Sequence, residues 1–304
     1  MMNSALLTFI LIFSFSCNWS KNTFPDHKSW TEWAKTRAFS TAHYGSTLCQ
    51  FWNDKEKTLY LKKDLERCSF QTDVSTKPSL GKLFFYRDSI TWQAKNGKKR
   101  LLLDSSNLFD LRTKENGPSF LKIGKIPIGK DNFLSSELWK NKNTKYSYFA
   151  SLHETKKFQK LEQQLSQLEL SYFKYNPLLK VEAQFIKSDP KKITLQKRKK
   201  GTTSSYKKGT MWFKINGQKH SLTVYSDNNG DTEKYLMFKD LTSGTSSFGG
   251  GRYLKTPDLK QPSIKLDFNY SKNPLCAYSK AWNCTIPDDS IPIEIQAGEK
   301  IPKV

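Results

Sequence analysis

The spacing of apolar residues changes several times along this chain, and each change marks an element. Ala5 to Phe15 (ALLTFILIFSF) is one uninterrupted apolar run. It is too short for a membrane-spanning helix of about 20 residues and has the length of the core of an export signal. After Ser29, a good N-cap, Trp30, Trp33, Ala34 and Arg37 fall at helical spacing and predict a short amphipathic helix. The period then drops to two. KTLYLKKD, GKLFFYRDSITWQAKNGKKRLLLD and SFLKIGKIPI read as short alternating strands broken at Asn96-Gly97, Asn116-Gly117 and Gly129, a β-meander in outline. Phe158, Leu161, Leu165, Leu168 and Tyr172 restore three- and four-residue steps and predict a long helix bridging the two halves. Beyond Asn176-Pro177 strands return: LLKVEAQFI, KKITLQKRK, GTMWFKINGQKHSLTVY with a hairpin turn at Asn216-Gly217, EKYLMFKDL, and a last strand from Ile291 to Ala297.

The expected fold is therefore mainly β: two β-rich units, meander, sandwich or barrel-like, with one bridging amphipathic helix and a short N-terminal helix. The expected organisation is a signal peptide (1–16), a lipidated tether (17–28), an N-terminal β-rich unit (29–152), and a helix plus C-terminal β-rich unit (153–304). A length of 304 residues accommodates two such units, and 13% aromatic residues supply material for their cores.

The net charge of +22 changes the picture only partly, because just seven of the 50 basic residues are Arg. Nucleic-acid readers favour the planar fork of Arg, whereas Lys is a hydrated point charge that attracts anionic lipid, polysaccharide or nucleic acid alike. Specific nucleic-acid reading is not expected; an anionic envelope polymer is the partner class this surface admits. The basic run Lys197 to Lys200 reads as a solvated strand end and turn.

Ser14-Phe15-Ser16-Cys17 resembles a loose lipoprotein signal-peptidase box, so Cys17 is the expected lipid carrier and the membrane the expected partner. Against this, MMNS lacks a basic residue and Phe15 is bulky; plain secretion, leaving Cys17 a free thiol, is the alternative. Either way the protein is expected to be exported. With the anchor it sits in the cell envelope as a membrane-anchored lipoprotein, at the periplasmic face or outer membrane. Cys49 and Cys68, then Cys276 and Cys284, make two local disulfides the simplest account in an oxidising compartment. The other pairings are not separable by spacing. With no CxxC and no nearby pair of His, neither a metal nor a cofactor is expected.

The second half carries a series of ordered blocks: Phe238 to Gly244 (FKDLTSG), Phe248 to Leu254 (FGGGRYL), Leu266 to Asn269 (LDFN), Asn273 to Tyr278 (NPLCAY), Cys284, and Ala297 to Lys300 (AGEK). This order resembles the domain-of-unknown-function 1684 family over about residues 161–300. The resemblance reaches back to Tyr172 to Pro177 and, more faintly, to Trp33 to Ser46, where longer members have a Trp, an Arg and a Gly-Ser. It marks positions without naming a reaction.

The chain departs from the family pattern at Phe248 (usually Tyr), Lys272 (usually aromatic), Thr285 (usually Pro) and in a shortened Pro287 to Ser290. The three glycines before Arg252 match neither a dinucleotide fingerprint nor a P-loop.

Asp240, Arg252, Asp267, Asn269, Asn273 and Glu299 are the candidate polar cluster, with Arg252 expected to pair with Asp267 or Asp240 beside Cys276 and Cys284. Such a cluster serves as a polar staple, a ligand pocket or a catalytic site. His27, His43, His153 and His220 stand in unrelated local contexts, and neither GxSxG nor HExxH occurs. The expected function is thus a lipid-anchored envelope protein with a binding or structural role. A hydrolase using Asp240, Asp267 or Glu299 is the alternative, and Lys-mediated holding of an acidic polymer a third reading.

Overall fold

The structure, a computed structural model, describes residues 27–53, 57–63, 68–71, 79–86, 89–103, 119–128, 130–140, 146–227, 229, 233–261 and 264–303. The expected signal peptide, Cys17, the tether up to residue 26, and the breaks at Asn116-Gly117 and Gly129 lie outside these residues. Among the described residues, no helix is long and apolar enough to cross a membrane.

The fold is mainly β, as expected. In the first half, strands β1 (Thr47–Asn53), β7 (Ser119–Ile128), β8 (Asn132–Lys140) and β9 (Tyr146–Glu154) form a four-stranded antiparallel sheet in the order β1-β9-β8-β7. A second antiparallel sheet has the order β3-β2-β4-β5-β6, from β2 (Lys57–Lys63), β3 (Cys68–Gln71), β4 (Ser79–Tyr86), β5 (Ser89–Ala94) and β6 (Lys99–Leu103). The period-two alternation supplies one apolar face per sheet. Leu59, Leu61, Leu83, Phe85, Ile90 and Trp92 of one pack on Leu134, Ala150 and Leu152 of the other. Asn96 and Gly97 make the expected turn between β5 and β6.

The second half is one curled, half-barrel sheet in the order β14-β13-β12-β11-β10-β15. Its strands are β10 (Lys180–Gln196), β11 (Thr202–Ile215), β12 (Gln218–Ser226), β13 (Lys234–Asp240), β14 (Arg252–Lys255) and β15 (Ile264–Asp267). Asn216 and Gly217 both have positive φ, 51° and 78°, the conformation that matches a two-residue hairpin to strand twist. The concave face is filled by Met211, Phe213, Leu222, Val224, Leu236, Phe238, Leu254, Leu266 and Phe268.

Several expectations need correction. LLKVEAQFI and KKITLQKRK are one 17-residue strand, β10, with the expected break absorbed as a register shift between Lys187 and Lys191. The last strand is only β16 (Ser290–Ile291), parallel to β13; Pro292 has no N–H for the ladder, and the backbone groups of Ile295 and Ala297 are taken by side chains described below. The bridging helix stops early: α2 (Thr155–Ser166) ends before Gln167, and α3 (Leu168–Ser171) is a separate turn. The N-terminal helix is not short. α1 spans His27–Gly45, 19 residues.

α1 also packs where the sequence did not place it. Expected with the N-terminal unit, it lays Ala38 and Ala42 on Leu161, Leu165 and Tyr278, and Trp30 and Ala34 on Tyr172. Trp30 and Trp33 meet the Tyr172 ring edge-on at 5.8 and 5.9 Å, a favoured aromatic geometry. The first helix is thereby built into the second half.

Candidate functional site

The six cluster residues are all buried, and the structure sorts them into three separate arrangements. The first lies where β13 ends and β14 begins. Arg252 Nη2 donates to Asp240 Oδ2 at 3.0 Å and to the Ile295 carbonyl at 2.9 Å, and Nη1 donates to the Ala297 carbonyl. Asp240 also accepts from Ile295 N at 2.7 Å, Thr242 Oγ1 at 2.9 Å and Ser243 Oγ at 3.0 Å. Both side chains are 0% exposed, and the guanidinium lies 5.3 Å from the Phe238 ring.

Of the two expected partners of Arg252, Asp240 is therefore the one used. This pair holds the 295–297 backbone and explains why no strand forms there. Gly251 is required beside it: φ is +85°, and a Cβ would sit 2.5 Å from Pro287 and 2.8 Å from the Phe238 carbonyl.

The second arrangement is a turn. Asp267 Oδ1 accepts from Asn269 N and Nδ2 at 3.0 and 2.8 Å. Asn269 in turn brackets Asn176, accepting from its N–H and donating to its carbonyl, each at 2.9 Å. Trp30 of α1 donates to the Asn269 carbonyl at 2.9 Å. Burial raises the Asp267 pKa against the pull of these bonds.

The third centres on Glu299. Oε1 accepts from Arg37 Nε at 2.9 Å and Tyr172 OH at 3.4 Å; Oε2 accepts from Asn273 N at 2.6 Å and Tyr278 OH at 3.0 Å. Arg37 adds a bond to the Asn273 carbonyl at 3.0 Å, and Asn273 Nδ2 donates to the Lys300 carbonyl at 2.8 Å. Burial, then the neighbouring Glu299 carboxylate, hold Tyr172 and Tyr278 well above the ordinary phenol pKa, so both remain donors. Sequence reasoning missed Arg37, Tyr172 and Tyr278 as members. The signal was present in the faint family echo over Trp33 to Ser46, which contains Arg37.

Two further groups bear on chemistry. Cys276 and Cys284, expected as a bridge, are brought together as two free thiols. The Cys276 N–H meets Cys284 Sγ at 3.2 Å. Hydrogen bonding with Cys284, aided by the Arg198 guanidinium, lowers the Cys276 pKa, and the same contact raises that of Cys284. Arg198, from the basic run, donates to the Cys276 carbonyl at 2.7 Å and lies 5.1 Å from the Phe248 ring. Cys49 is disulfide-bonded; Cys68 opens β3, and its side chain is outside the described atoms.

In the first half His153 Nε2 contacts Ser135 Oγ at 2.7 Å and Ser151 Oγ at 2.6 Å, and its ring lies 4.4 Å from His43. These four residues are buried to 1% exposure or less. Among the described residues, no group of three or more His, Cys, Asp or Glu is arranged to hold a metal ion.

The outer face of the C-terminal sheet carries a cleft of about 290 Å³, lined by Tyr235, Met237, Tyr253, Lys255, Lys272 and Thr285 among others. Burial lowers the Lys272 pKa to about 8.

Residues 167–300 match the family model described as Protein of unknown function (DUF1684). This part of the chain is similar to that family. The DUF1684 segment contains all six cluster residues and both free thiols, while Arg37 and Trp30 reach into it from outside. An uncharacterized protein from gene locus rrnAC0354 of Haloarcula marismortui, solved by solution NMR, is 28% identical, with a TM-score of 0.37; the match covers 43% of this chain and 75% of that one. No curated protein matches.

Proposed function

We propose that this protein is an exported, lipid-anchored component of the cell envelope whose DUF1684 segment is a binding platform held close to the membrane. The observation that carries the reading is the docking of α1. Trp30 and Arg37 join it to Asn269 and Glu299 across more than two hundred residues of sequence. A lipid on Cys17 would therefore be tied to the second half directly. The nine residues between Cys17 and His27 let the two positions lie at most about 35 Å apart when fully extended. The apolar run Ala5 to Phe15 and the Ser14 to Cys17 box support the anchor itself.

Binding is preferred to hydrolysis because two of the three carboxylates named for a hydrolase, Asp240 and Glu299, are committed elsewhere. Asp240 and Glu299 direct both oxygens at internal donors. Neither is presented to a reacting atom, which a general acid or base must be.

The test is metabolic labelling with an alkyne fatty acid in a bacterial host expressing the full chain. Wild type should be labelled and sediment with membranes; Cys17→Ser should lose the label and leave the pellet. Unlabelled wild type in the soluble fraction would overturn the anchor.

A further inference from the structure

The cleft on the outer face of the C-terminal sheet lies on side chains that none of the three polar arrangements uses. Tyr225, Tyr235 and Tyr253, on the neighbouring strands β12, β13 and β14, lie ring beside ring with centroids 6.1 and 6.4 Å apart and planes inclined by 26° and 17°. Their edges are fixed. Tyr235 OH donates to Asp227 Oδ1 at 2.8 Å, and Tyr253 OH donates to the Thr285 carbonyl at 2.7 Å. Lys272 extends the sheet past Tyr253 through a pair of backbone bonds of 2.8 and 2.9 Å, which brings its side chain to the cleft wall.

At the rim Lys255 pairs with Glu233. Lys272, by contrast, makes no side-chain hydrogen bond or ion pair among the described residues, although it is half-buried. The charges that face it are Arg37 and Lys255, which repel, and Glu299 and Glu233, which attract. Glu299 is saturated by four other donors and Glu233 is taken by Lys255.

We propose that this cleft binds a small organic anion built on a single ring, its carboxylate or phosphate paired with the Lys272 ammonium and its ring lying against Tyr235 and Tyr253. The volume sits at the lower end for ligand pockets, room for one sugar or aromatic ring. The lining charges are Lys234, Lys255 and Lys272 against Asp227 and Glu233, a balance that favours a monoanion. A half-buried ammonium without a partner costs stability, and an arriving anion removes that cost. The inference deepens the binding role proposed above and does not depend on the anchor.

The probe is pyridoxal 5′-phosphate, a ring-bearing anion whose aldehyde condenses with an amine to an imine and water. Borohydride then adds hydride across the C=N bond and fixes the adduct for peptide mapping. On the full-length protein in detergent at pH 7.5, Lys272 should be labelled ahead of the other lysines. Glucuronate or 4-hydroxybenzoate should block labelling, and whichever does so identifies the ring as sugar or aromatic. Lys272→Met should lose that adduct and bind the blocking anion about tenfold more weakly by calorimetry. Lys272→Tyr, which restores an aromatic at this position, serves the same purpose should the Met variant fold poorly.

Labelling spread over exposed lysines without preference for Lys272 would overturn the proposal, as would undiminished anion binding in both variants. Because the protein is assayed in detergent, loss of the anchor would leave these results unchanged.

Discussion

Replacing Arg252 by Met tests whether the polar cluster holds the fold or serves a ligand. The side chain is fully buried and donates to Asp240 and to the carbonyls of Ile295 and Ala297. Met fills similar volume but offers no donor. Asp240 is left as a carboxylate with no counter-ion in a site closed to water, and breaking one side of such a pair costs about 3–5 kcal/mol. Against the roughly 5–15 kcal/mol that stabilises a typical domain, that is a large fraction.

Because Ile295 N still donates to Asp240, and the Ile295 carbonyl keeps its bond from Ala297 N while the Ala297 carbonyl loses its donor, the double variant Arg252→Met, Asp240→Asn should recover part of the loss. It should fall short of the sum of the singles by about 2 kcal/mol or more. The assay is urea unfolding with hydrogen exchange read separately over residues 234–300, since two cores need not unfold together. A single variant within about 1 kcal/mol of wild type, or strictly additive singles, would refute the reasoning. Unchanged stability with lost anion binding would move Arg252 to the ligand.

Two other expectations are independent of that pair. Arg37→Leu removes the donor to Glu299 Oε1 and the Asn273 carbonyl; it should cost about 2–3 kcal/mol and open α1. Amide protection over residues 30–44 should fall while β10 to β12 keep theirs, and equal protection throughout would count against α1 being latched by Arg37. Lys272→Met should raise the melting temperature near pH 7. The folded-state pKa of about 8 lies below the ordinary lysine value of 10.5, so the folded chain binds fewer protons there. The wild-type penalty is thus complete below pH 8 and fades as pH rises toward 10.5. A melting difference that stays flat from pH 7 to 10 would sink this account of Lys272.

What the sequence revealed and what it hid divide along sequence distance. Asn216-Gly217 announced a hairpin because a two-residue turn is decided by its own backbone, and the apolar alternation of GKLFFY and SITWQA named both strands and faces. Ile291 to Ala297 alternates just as well and fails as a strand, because Arg252 and Asp240 take the backbone groups of Ile295 and Ala297 that a ladder would need. The six polar residues were found from their blocks, yet their grouping was not legible. Glu299 is completed by Arg37, 262 positions away, and no local pattern carries that pairing.

The same distance effect hid the contact of His153 with Ser135, Ser151 and His43, whose local contexts share nothing. Lys272 shows the opposite case. Its identity stood out only as a departure from a resembled pattern, and its meaning depends on a structure that gives every neighbouring carboxylate another partner. While it is charged, a lysine in that position gains when something outside the chain supplies the negative charge, which is why the cleft, rather than the saturated cluster around Arg252, is where we place a ligand.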